Sequence, residues 1–191
     1  AHKGEFLGYV IKINSIKTFY AFEPQESIFR ILKKNFSNNK KVRFINMGLS
    51  ERPSNKIFYI NKLSSTSTMS KFNKNSKYLK FKNMLTRSKK NYIDKYLVKT
   101  SSVDIFFKKI KFKNCLLKID VEGFEYNVLE GSKSKIGEIN YILIENQFGN
   151  LYENKSFNEI KSYLYKKKFK VLKKFVFPTL HYQDVIFKKF K

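Results

Sequence analysis

Two carboxylates and a glycine follow directly on an apolar run in Cys115-Leu116-Leu117-Lys118-Ile119-Asp120-Val121-Glu122-Gly123. Four of the first five residues are apolar and a turn signal follows, which predicts a short buried strand. Ligands of open α/β sheets bind beyond the carboxyl ends of the strands, so Asp120 and Glu122 belong at that edge. A carboxylate there can orient or deprotonate a hydroxyl, or favour a nearby cation. Either acid can instead interact with the amino end of the helix predicted from residue 124. Lys118 shares a face with Leu116 and Asp120 by alternation. It reads either as the partner of an acid at the site or as a lysine whose ammonium reaches solvent at the sheet end. Glu145 and Asn146 end the next predicted strand and are candidates for holding an acceptor. Free histidine titrates near neutrality, so the residue type at His181 suits a general base. A loop histidine without chemical role fits the same position.

The elements that must position these groups alternate in kind. Helical periodicity covers residues 5–14, 25–36, 102–110, 124–135 and 157–165. Strand-like runs cover 18–22, 42–47, 56–60, 115–119, 141–144, 168–175 and 184–190. Strands alternating with helices predict an α/β fold with a mostly parallel, doubly wound sheet. Residues 61–95 break the rhythm. They include Ser64-Ser65-Thr66-Ser67-Thr68-Met69-Ser70, which reads as a polar loop. Residues 71–95 then hold nine basic residues and one acid, Asp94. A segment this long reads as a lid, a binding element or disorder.

A chain of 191 residues is about one domain. The formal charge of +25 invites a nucleic-acid reading. However, Lys, Asn, Ile, Phe and Tyr supply 104 of the 191 residues, all with A/T-rich codons, so coding bias explains the excess more simply. Arg30, Arg43, Arg52 and Arg87 are the only arginines, and arginine is the favoured side chain for bidentate phosphate and guanine contacts. Nucleic acid is therefore not the expected partner. Cys115 is the single cysteine, which excludes an intrachain disulfide and a cysteine-based zinc site. No apolar run approaches the roughly 18 residues of a membrane span.

Lys118-Ile119-Asp120-Val121-Glu122-Gly123 resembles the signature of the FkbM-type methyltransferases. Two further segments match in order. Ala1-His2-Lys3-Gly4-Glu5-Phe6 resembles the tail of that family's glycine-rich cofactor loop, and Tyr20-Ala21-Phe22-Glu23-Pro24 its second-strand motif. The resemblance implies a class I fold, Rossmann-like, with strand order 3-2-1-4-5-7-6 and a closing antiparallel strand. It implies S-adenosylmethionine as cofactor and a hydroxyl of a sugar, polysaccharide or secondary metabolite as acceptor. The expected location is the cytoplasm, and nothing visible in the sequence requires a metal. Ala1, His2 and Gly4 would lie under the methionine end of the cofactor, Glu23 would accept the ribose hydroxyls, and Gly48 and Leu49 would lie near the adenine. Asp120 would face the sulfonium. The strand order would also bring His181 to the same sheet edge. The chain opens inside the cofactor loop, without the Asp-x-Gly half that precedes it in the family. The first strand is therefore expected to be missing and cofactor binding to be poor. The alternatives are an RNA methyltransferase on the same fold, with residues 71–95 as a basic clamp, and a binding domain without activity.

Overall fold

The computed structural model of the chain describes residues 1–76, 79–80, 84, 92–147, 151–176 and 182–190. The fold is mixed α/β, with parallel and antiparallel pairings and short helices. After α1 (Glu5–Val10), strand β1 (Phe19–Phe22) runs into α2 (Glu26–Phe36) and returns as β2 (Val42–Ile45), parallel to β1. The helix α2 buries Ile28 and Leu32, one turn apart, as a one-sided apolar stripe requires. Helix α1 stops at Val10, four residues short of the periodicity. Ile13 beyond it is exposed, and without a face to bury a further turn is not held.

A second sheet joins β3 (Gly48–Leu49), β4 (Ser54–Ile60) and β5 (Asp94–Ser101) in the order β3-β5-β4. Strand β5 is absent from the periodicity reading. Its first four residues are exposed and only its end is buried, so alternation is weak where the basic segment runs into it. The predicted helix at 102–110 is reduced to α3 (Val103–Phe106), capped by the Ser102 hydroxyl.

The third sheet carries the main core. Strand β6 (Cys115–Ile119) is followed by α4 (Glu125–Glu130) and β7 (Ile139–Gln147), then by α5 (Phe157–Lys166) and the pair β8 (Phe169–Val176) and β9 (Tyr182–Lys189). Helix α5 opens on a reciprocal cap between Ser156 and Glu159, which satisfies two otherwise orphaned backbone donors. The order is β6-β7-β9-β8, with β6 and β7 parallel and β9 antiparallel to both neighbours. One face packs Ile119, Ile142, Ile144, Val185 and Phe187 against Val128, Leu129, Ile160 and Leu164 of the helices.

The mostly parallel sheet expected from the sequence, with its first strand missing, is thus divided into three hydrogen-bonded sheets. Among the described residues no strand pairs with the second edge of β1 or of β6. Side chains bridge the interval instead. Phe22 meets Phe106 edge-on at 4.9 Å, and Lys118 Nζ lies 5.1 Å from the centre of the Phe6 ring. No described helix is long and apolar enough to cross a membrane.

Candidate active site

Strands β6 and β7 pair in register with Ile119 opposite Ile144, so their carboxyl ends deliver Asp120 and Glu145 side by side. Glu122 joins them after a turn. Carboxylate oxygens of Asp120, Glu122 and Glu145 all lie within 4.8 Å of one another. Strand β9 starts at the same end, with Asp184 opposite Glu145 and Tyr182 opposite Gln147.

The turn is built to push Glu122 inward. Glu122 has φ 55° and Gly123 φ 86°, a left-handed pair that a non-glycine residue adopts only at a cost. Glu122 is buried and accepts hydrogen bonds from Gln147 Nε2 and from the Tyr152 hydroxyl, the latter at 3.1 Å. Glu125 is also buried and accepts from the Gly123 N–H at 2.9 Å. From the other side the Thr68 hydroxyl donates to the Glu122 carbonyl at 2.6 Å, and the Ser70 hydroxyl to that of Gly123 at 2.7 Å. Asp120 forms an ion pair with Lys118, which is the paired alternative of the two open for that lysine.

Burial raises the Glu122 carboxyl to about 7, with Asp120 adding to it against the hydrogen bonds from Gln147 and Tyr152. Burial and the charges of Asp120 and Glu122 push Glu145 up to about 8. Glu125 rises to about 7, mainly by burial. These carboxyls hold their protons more tightly folded than unfolded. Between about pH 4.5 and about 8 the folded chain keeps protons that the unfolded chain has released, so stability falls as pH rises through this window. Glu145→Gln should flatten that slope in melting temperatures taken at stepped pH. An unchanged slope would remove Glu145 from the coupled cluster.

At the end of β1, Glu23 is 6% exposed. Its Oε2 accepts from the His2 N–H at 2.7 Å and contacts the Ala1 amine at 3.3 Å, while Oε1 accepts from the Gln25 N–H at 2.9 Å. A carboxylate offers about four lone-pair positions, and these three donors leave this anchored acid capacity for about one more. His2 has φ 51° and links Glu5 Oε1 at 2.7 Å to the Ser64 hydroxyl at 2.9 Å. The serine-rich run therefore ties the Ala1–Gly4 segment to the Glu122 turn. Gly4 has φ 94°, and a Cβ there would stand 2.2 Å from the Phe36 ring, so close packing on α2 also demands glycine.

Gly48 packs under Met69 and Leu49 against the main core. Asn146 alternates to the sheet face opposite Glu145 and Gln147. His181 lies outside the described residues, as does much of the basic segment. Tyr152, Gln147, Glu125, Thr68 and Ser70 were not singled out in the sequence. Only the Ser64–Ser70 composition hinted at any of them.

Residues 1–171 match the methyltransferase FkbM domain. The chain belongs to the FkbM methyltransferase family. No curated protein and no solved structure matches it. The family match covers α1 to the start of β8 and so includes every group of the carboxylate cluster in this methyltransferase domain.

Proposed function

We propose that this FkbM domain, a single domain over residues 1–191, is an S-adenosylmethionine-dependent O-methyltransferase of the cytoplasm. Its acceptor is a hydroxyl of a sugar, polysaccharide or secondary metabolite. The observation that carries the reading is the convergence of Asp120, Glu122 and Glu145 at the carboxyl ends of β6 and β7. An alcohol is a poor nucleophile until its proton is taken, and a base serves best with a pKa near the working pH. The raised Glu122 and Glu145 carboxyls meet that requirement.

When bound, S-adenosylmethionine supplies an electrophilic methyl group. Glu23 holds the ribose hydroxyls beside the Ala1–Gly4 segment. Asp120, oriented by Lys118, presents negative charge toward the reacting centre. Glu122, fixed by Tyr152 and Gln147, accepts the acceptor's hydroxyl proton, with Glu145 positioning the hydroxyl. His181 is a further candidate base. The chain's contribution is chiefly to align the acceptor and exclude water. No step requires a metal.

The test is calorimetric titration of the protein with the cofactor. Glu23→Ala should weaken binding by about 1–3 kcal/mol, the scale of hydrogen bonds to a charged group. Glu23→Gln should cost less, because its carbonyl oxygen still accepts. An unchanged dissociation constant for both variants would remove Glu23 from the ribose site. Absence of labelled methyl transfer to any hydroxylated glycan or metabolite, with cofactor bound, would instead favour a binding domain.

A further inference from the structure

Strand β8 is the outer strand of its sheet. Residues 160–176, which end α5 and form β8, contain seven lysines and no acid. Lys166, Lys168, Lys170, Lys173 and Lys174 are exposed, and none of them is in an ion pair among the described residues. Lys170 also stands directly opposite Lys188 on β9, a like-charged cross-strand pair that disfavours the sheet.

Lysines on an edge strand can serve only to prevent further strands from adding. That role is poorly served by apolar neighbours on the same edge. Yet Leu172, Phe175 and Val176 are 56%, 42% and 58% exposed within five residues, and Tyr165 and Phe190 are exposed beside them. Lys170 Nζ lies 4.7 Å from the centre of the Phe190 ring and Lys173 Nζ 4.9 Å from that of Phe175. Single exposed apolar residues need no explanation, whereas a cluster rimmed by charge marks an interaction surface. Lysine heads beside aliphatic and aromatic side chains complement an anionic headgroup layer lying over an apolar one. RNA would use the lysines and leave Leu172 and Val176 unsatisfied. The segment also lacks arginine, the preferred reader of phosphate and base edges.

We infer that the β8 edge docks on the surface of an anionic phospholipid bilayer. Phe175 is opposite Asp184, which is opposite Glu145. Two strand spacings, about 10 Å, therefore separate the patch from the carboxylate cluster. On the methyl-transfer reading above, docking would present that cluster to a hydroxyl carried by a membrane-anchored acceptor.

Vesicle co-sedimentation of the chain tests this without reference to methyl transfer. Binding is expected to vesicles of phosphatidylcholine with phosphatidylglycerol and not to phosphatidylcholine alone, and to weaken as salt screens the charges. Combining Lys170→Gln, Lys173→Gln and Lys174→Gln should weaken partition about a hundredfold, at about fivefold per lysine. Leu172→Ser with Phe175→Ser should weaken it at unchanged charge and leave binding of a single-stranded RNA unaltered. Lys33→Gln with Lys34→Gln, on the exposed side of α2, should change nothing. Melting temperatures of all variants establish that they are folded. No binding, equal binding to neutral vesicles, or binding indifferent to the Leu172 and Phe175 changes would overturn the proposal. The last result would assign the patch to polyanions such as RNA.

Discussion

Glu122→Gln lowers methyl transfer by about 10²–10⁴-fold, the usual contribution of a general base. The substitution keeps the size of the side chain and an acceptor for the Tyr152 hydroxyl, but removes the basic oxygen. In the unaltered protein the rate should rise with pH on a limb near 7, where burial places the Glu122 carboxyl. Asp120 and Glu145 interact with it, so the limb reports the cluster as a unit. The variant should lack that limb and bind cofactor as before. Its stability at alkaline pH should be equal or higher, because a buried charge has been replaced by a neutral amide. Full turnover in this variant would exclude Glu122 as the base. Loss in Glu145→Gln alone would then transfer the role to Glu145.

Gly123→Ala destabilises the fold by about 2–4 kcal/mol, combining the cost of a left-handed alanine with that of overpacking. Gly123 has φ 86°, and a Cβ there would stand 2.4–2.6 Å from atoms of Tyr152. The backbone cannot readily retreat, since the Gly123 N–H is bonded to Glu125 and its carbonyl to Ser70. Tyr152 must therefore move, and with it the hydroxyl that holds Glu122. Urea unfolding should record the lost stability, and turnover at a temperature where the variant is folded should fall as well. A loss below about 0.5 kcal/mol, the range of an ordinary surface change, would show that the turn relaxes and does not position Glu122.

The two predictions draw on different levels of the molecule. Asp120 and Glu122 are visible in sequence because an apolar run ends in acids and a glycine, a local pattern with a local cause. Glu145 is visible for the same reason one strand later. Their approach to within 4.8 Å depends on the parallel register of β6 and β7, which follows from two apolar strands buried on a common face. Tyr152 and Gln147 are different. Nothing near them in the chain distinguishes a buried phenol and a half-buried amide donating to Glu122 from solvated polar side chains. The Ser64–Ser70 run is similar, since its hydroxyls find their partners more than fifty residues away.

The helices show where periodicity misleads. An apolar spacing continues past Val10 to Ile13, but Ile13 is exposed and the helix ends where no core remains to cover. Strand β5 shows the reverse case, a strand concealed because its exposed half continues a basic segment.

The sequence by itself determined the types of the main strands and helices other than β5, the acids that end β6 and β7, and the family motif. Those follow from residue type and spacing over a few positions, where side-chain burial and backbone preference act locally. Only the tertiary structure decided which donors reach Glu122, how the serine run ties the amino-terminal segment to its turn, and the separation into three sheets. Each depends on hydrogen-bond partners distant in the chain, and the same polar residue is a solvated loop side chain or a buried donor according to what packs over it.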